Sequence, residues 1–145
     1  MAIVLTKNLQ QTIFTQMEAT YPNEGGGFLI GTADDENTQI VDVIAVENVF
    51  ETEEQYHRYA MTPQNWASME DEAEARGLSL VGYYHSHPNA PAIPSEFDRV
   101  HALPRFVYII TSVKDGKAVD QKVWLLRDDR SKFDDSVLKI TSEEN

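Results

Sequence analysis

The segment GYYHSHPNAPAIPSEFD, residues 82 to 98, brings two imidazoles, a hydroxyl and a carboxylate close together in sequence. Alternate side chains of an extended chain share a face, so His85 and His87 would point the same way there, with Ser86 opposite. On a helix the same pair would diverge by about 200°. Two neutral imidazoles and the Asp98 carboxylate make a three-ligand set with one position left over, the arrangement of catalytic rather than structural zinc. One zinc ion per chain would keep net positive charge there and lower the pKa of water to about 7. The same donors would also suit an Fe(II) centre for oxygen chemistry. Two plainer readings compete: polar residues at a strand end in water, and a helix start. Ser95-Glu96-Phe97-Asp98 has the capping-box pattern, with Pro94 just before it. A cap of that kind is compatible with chemistry, because it fixes Asp98 in a first helical turn.

Hydrolysis at such a centre also needs a base, and YPNEGGGFLIG offers Glu24 between a helix stop and a glycine-rich strand entry. Gly25, Gly26 and Gly27 would let backbone approach the site closely; the competing reading is a flexible turn with an exposed acid. No GK[ST] or GxGxxG follows the glycines, which excludes a phosphate loop of either kind.

The rest of the composition narrows the setting. The chain has 145 residues, 41% of them apolar, enough for one compact domain over 1–145 that buries roughly 70% of its unfolded surface. There is no cysteine, so disulfides, thiolate zinc sites and a thiol nucleophile are excluded, and any metal must be held by nitrogen and oxygen. With 12 basic against 24 acidic side chains the formal charge is −12, which repels nucleic acid and anionic membrane surfaces and favours a protein partner. The opening MAIVLTKNLQQ lacks the basic segment and long apolar core of a signal peptide, and no apolar run approaches the ~20 residues of a membrane span. The expectation is a cytoplasmic protein; whether it forms a homodimer is left open.

The elements that must position these groups follow from local signals. Residues 2 to 5 read as a short strand, and Thr6 as the cap of a helix placing Leu9, Ile13, Phe14 and Met17 on one face before Pro22 stops it. Residues 28–33 and 38–46 read as a hairpin around Asp34-Asp35-Glu36-Asn37. A second helix is expected from a Thr62 cap and Pro63 to Gly77, turning Trp66, Met69 and Ala73 inward. Residues 78–84 read as a buried strand with His85 at its end. A short helix follows from about Ser95 to Ala102, then a hairpin around Lys114-Asp115-Gly116-Lys117 and a last strand at 137–141. Trp66 and Trp124 read as core, and His57 and His101 as histidines off the ligand spacing. Interleaved strands and helices with several hairpins predict an α/β protein, a three-layer α/β/α sandwich with a mixed central sheet.

One pattern ties these residues together. His85-Ser86-His87, seven residues, Ser95, two residues and Asp98, with Glu24 upstream in a P-x-E-x-x-G-x-x-x-G setting, resembles the JAMM (MPN+) metalloproteases from the first helix to about Leu126. The short form is similar to bacterial members acting on ubiquitin-like sulfur-carrier proteins. The resemblance implies a cytidine-deaminase-like fold and zinc held by His85, His87 and Asp98. It further implies Glu24 as general base and Ser95 as oxyanion donor. The substrate would be a peptide or isopeptide bond after the Gly-Gly end of a ubiquitin-like or sulfur-carrier protein. One departure is that many bacterial members carry cysteine after the motif glutamate, where this chain has Gly25 and Gly26. The alternative within the same fold is a non-catalytic interaction module, against which stand the filled motif positions. Residues 47 to 61 read as a partly extended segment beside the site, either an edge for an extended substrate tail or an acidic surface loop.

Overall fold

The computed structural model describes residues 2–46 and 63–142. The expected edge segment 47–61, His57 and the Thr62 cap lie outside them, as does the His101 side chain. Seven strands and three helices are described: β1 (Ala2–Thr6), α1 (Lys7–Thr20), β2 (Gly26–Ala33), β3 (Asn37–Val46), α2 (Pro63–Ala75), β4 (Ser79–Pro88), α3 (Glu96–His101), β5 (Val107–Lys114), β6 (Lys117–Leu126) and β7 (Phe133–Thr141).

Local chemistry accounts for most boundaries. Thr6 caps α1 by accepting a hydrogen bond from the Leu9 amide at 3.2 Å, one of the orphan donors of a first turn. The β2–β3 turn closes on Asp34, whose carboxylate accepts from the amides of Glu36 and Asn37 at 2.8 and 2.7 Å. The β5–β6 turn places Asp115 and Gly116 at φ 50° and 83°, the paired positive values that a two-residue hairpin requires.

The strands run in the order β1-β3-β2-β4-β5-β6-β7, and β1 also pairs with β7, so the mixed sheet closes on itself. β1 lies parallel to both β3 and β7, and β4 parallel to β5; the other neighbours are antiparallel. Helices do cover both faces of the β2-β4-β5 region. On one side Ile13 and Met17 of α1 pack with Ile3, Leu29, Tyr84 and Ile109; on the other Trp66 and Met69 of α2 pack with Phe28, Tyr83 and Tyr108. An open three-layer sandwich is nevertheless not what forms. β1 is the element that bridges the far edges, and β6 and β7 are half-exposed along most of their length although α1 touches both. No described helix is long and apolar enough to cross a membrane.

β4 is the strand that matters most for the site. It is buried from Val81 through His87 and runs between β2 and β5, which explains its near-continuous apolar sequence. Instead of ending before His85 it continues to Pro88, pairing His85, Ser86 and His87 with Ile110, Thr111 and Ser112 of β5.

Candidate metal centre

The two histidines converge as strand alternation requires. His85 Nε2 and His87 Nε2 are 3.2 Å apart, with 1% and 8% of the residues exposed. Asp98 completes the group: one carboxylate oxygen lies 3.2 Å from His85 Nε2 and the other 3.0 Å from His87 Nε2. Its position comes from the cap of α3. The Ser95 hydroxyl accepts from the Asp98 amide at 3.1 Å, and the Ser95 amide donates to the Asp98 carboxylate at 2.9 Å. The capping reading and the ligand reading therefore describe one object. His87 is oriented further by a 2.8 Å contact between Nδ1 and the carbonyl of Pro91, which leaves Nε2 facing the cluster.

Whether the trio fits a cation can be judged from its spacing. Nitrogen and oxygen donors at about 2.0–2.1 Å from a tetrahedral zinc lie roughly 3.3 Å from one another. The separations of 3.0–3.2 Å come within a few tenths of an ångström of that value. The donor types, two imidazole nitrogens and a carboxylate, form a metal-compatible group among the described residues.

Electrostatics agrees with this grouping. Burial works to push the Asp98 carboxyl up, but the imidazoles and the Ser95 amide hold it well below the usual carboxylate range. Burial lowers the His85 pKa despite the adjacent carboxylate. For His87 burial pulls down as well, yet the hydrogen bond and charge of Asp98, with the Pro91 carbonyl, win and raise it. The Glu24 carboxyl is pushed up to about 9, first by burial and then by the charge of Asp98. A cation beside Asp98 would oppose the second effect and draw Glu24 down toward the neutral range.

A cleft of about 420 Å³ reaches the trio at His87 and is lined also by Glu24, Ser95, Phe97, Pro22 and Asn89. All five residues expected at the site thus come together: three as ligand candidates, and Glu24 and Ser95 on the cleft wall. Ser95 is exposed, and its oxygen keeps its own proton to donate while it accepts the capping bond. Gly25 and Gly26 are buried rather than a loose turn. A Cβ at Gly25 would sit 2.5 Å from Thr20 Oγ1, and one at Gly26 would sit 2.8 Å from the Tyr84 carbonyl oxygen. Glycine at both positions leaves room for Thr20 and for the β4 backbone. Trp66 lies partly buried in the aromatic group with Phe28 and Phe106, as expected of core; Trp124 is half-buried and donates from Nε1 to the Ala92 carbonyl, bracing the loop before Ser95. Sequence reasoning missed Ser86 and Asn89, whose contacts tie the Glu24 turn to β4. The only sequence signal for either was the alternation that turns Ser86 away from the imidazoles.

A desampylase from Haloferax volcanii is 40% identical over 60 residues, 41% of this chain and 42% of that protein. A Thermus thermophilus protein named "Probable TtuB-protein conjugate cleaving protease" is 51% identical over 37 residues, 26% of this chain and 25% of its own length. The chain thus matches less than half the length of these curated relatives. The solution structure of a Desulfitobacterium hafniense protein superposes with a TM-score of 0.82 at 25% identity, covering 99% of this chain and 94% of that one. Residues 6–126 match the Prok-JAB family, prokaryotic homologs of the JAB domain, and the chain belongs to that family.

Proposed function

We propose that the protein is a zinc-dependent hydrolase that cleaves peptide or isopeptide bonds after the Gly-Gly end of a ubiquitin-like or sulfur-carrier protein. The observation that carries this reading is the buried His85–His87–Asp98 trio, whose His87 lines a cleft that Glu24 and Ser95 also line. Relatives named for desampylation and for cleavage of TtuB-protein conjugates support the substrate class.

In this reading His85, His87 and Asp98 hold zinc, which supplies a Lewis acid that makes water acidic near neutral pH and polarises a carbonyl. Glu24 accepts the proton of the attacking water and passes it to the departing amine. The Ser95 hydroxyl donates to the oxygen that becomes negative as the carbonyl carbon turns tetrahedral, a role for which its free proton and cleft-facing position suit it. Asp98 remains ionised, held so by its imidazole and amide partners.

The test is to load purified protein with zinc or with Fe(II) and incubate it with a ubiquitin-like protein joined through its Gly-Gly end to a lysine amine. Mass spectrometry should show cleavage directly after the second glycine with zinc bound at about one ion per chain. Tight zinc binding without cleavage of any such conjugate would favour a non-catalytic interaction module; activity only with Fe(II) and oxygen would replace the hydrolase reading.

A further inference from the structure

Glu24 lies on the connection between α1 and β2, residues 21 to 25, without regular structure of its own. Both ends of that connection are tied to the segment that carries His87. At one end the Gly25 amide donates to Ser86 Oγ at 2.9 Å, and the Ser86 amide donates to the Gly25 carbonyl at 3.0 Å. At the other the Asn89 side-chain amide donates to the Tyr21 hydroxyl at 2.8 Å.

The Ser86 contact is unusual for a ladder. Gly26 stands opposite His85 in the β2–β4 register, so Gly25 and Ser86 are the next pair. An antiparallel pair that exchanges hydrogen bonds would send the Gly25 amide to the Ser86 main-chain carbonyl. Here the Ser86 hydroxyl takes that donor, so the ladder ends in a side-chain bond immediately after Glu24. Ser86 is 0% exposed, and an unmade bond there would leave a buried amide without an acceptor. Asn89 is fixed independently: its backbone sits at φ 54°, its amide donates to the Val113 carbonyl, and its side-chain oxygen accepts from the Asp115 amide at 3.0 Å.

We infer that Ser86 and Asn89 are positioning residues that clamp the 21–25 connection to β4, setting Glu24 against the face presented by His87. This rests on the proposed hydrolase reading for its catalytic consequence, but the clamp is a statement about this chain's own contacts and is measurable without turnover. Ser86 is the primary tether because it is buried; Asn89 is the weaker one because it is exposed.

The experiment compares wild type, Ser86→Ala and Asn89→Gly, the last chosen because glycine tolerates the positive φ. Amide hydrogen exchange followed by NMR should show Gly25 accelerated about tenfold or more in Ser86→Ala, with β5 amides unchanged. Zinc stoichiometry should stay at that of wild type. With a Gly-Gly-terminated ubiquitin-like protein carrying a C-terminal aminocoumarin as probe, Ser86→Ala should lower kcat by about 10–100-fold with KM within about threefold. In a Glu24→Gln background the same change should cost less than about threefold, because the two act as one unit. Asn89→Gly should fall in the same direction with a smaller loss, and it decides the matter alone if Ser86→Ala does not fold. Unchanged Gly25 exchange, or full additivity of Ser86→Ala with Glu24→Gln, would overturn the clamp. A wild type that cleaves nothing would remove the hydrolase reading while the exchange result still judges the clamp.

Discussion

The trio and the cleft wall are built in opposite ways. His85 and His87 sit in the buried stretch of β4, both paired with β5 and His85 also opposite Gly26 of β2, and Asp98 is locked by a reciprocal cap. Glu24 and Ser95 stand on a half-buried turn and at an exposed helix start, facing space into which a substrate can enter. A metal ligand gains from rigidity, because every ångström of misfit weakens coordination. A proton carrier or hydroxyl donor must reach atoms that arrive from solution. The difference predicts that substitutions in the first group should destroy the centre itself, whereas those in the second should spare the metal and cost only rate.

The largest effect is expected at Asp98. Asp98→Ala removes a proposed ligand, the carboxylate that contacts both imidazoles, and half of the α3 cap. Zinc retained after gel filtration should drop from about one per chain to near zero, with all hydrolysis lost. The metal-free variant should also lose about 1–3 kcal/mol in denaturant unfolding, since the Ser95 amide and His87 lose a buried partner. Full zinc occupancy in Asp98→Ala would erase the distinction between the two regions.

Next come the wall residues, where the contrast is sharpest. Glu24→Gln keeps the size of the side chain but removes the proposed proton acceptor, and should lower kcat by about 10²–10⁴ with zinc content unchanged. Ser95→Ala should lower it by about 10²–10³, and because the serine also caps α3 it should cost about 1 kcal/mol of stability, which glutamine at 24 should not. Zinc loss in either variant, read by metal analysis, would move that residue into the rigid group.

How much of this was readable beforehand depends on how local each cause is. The Thr6 cap, the Asp34 turn and the Asp115-Gly116 turn follow from residues within four positions of one another, and all three stand in the structure. The facing of His85 and His87 required only the two-residue period of a strand, and Asp98 only a cap signal. What could not be read was the closure of the sheet, because β1 pairs with Val137 to Thr141 across nearly the whole chain and no local residue announces a parallel partner. The tight packing at Gly25 and Gly26 was equally hidden: three glycines in a row look the same whether they loosen a turn or admit Thr20 and Tyr84.

That packing yields a smaller, purely structural test. Gly26→Ala places a methyl 2.8 Å from the Tyr84 carbonyl oxygen and the Tyr83 hydroxyl, so strand β2 must shift. The expected cost is about 1–3 kcal/mol, measured by the denaturant midpoint at constant slope. Because Gly26 pairs directly with His85, part of the loss should appear as weaker zinc binding, linking wall and trio through the backbone. A neutral Gly26→Ala would mean that the turn yields more than its burial suggests.

The smallest effect concerns protons, and it separates the two histidines that sequence treats as equivalent. His87 has its pKa raised above 6.5 while that of His85 is lowered. A raised histidine contributes stability to the metal-free fold below pH 6.5, and loses it as pH rises through the folded value. A ligand must be unprotonated to bind, so that same proton competes with zinc. Asp98 is held ionised by its partners, and His85, its pKa lowered by burial, takes up a proton only at lower pH than His87, so one proton competes first. Below about pH 6.5 the apparent zinc affinity should therefore fall about tenfold per pH unit rather than a hundredfold. The measurement belongs in the Glu24→Gln variant, because zinc would also displace the proton that Glu24 holds up to about pH 9 and add a second slope at higher pH. A hundredfold fall per unit would mean that both imidazoles take up protons together, and that the buried strand does not distinguish the two ligands it presents.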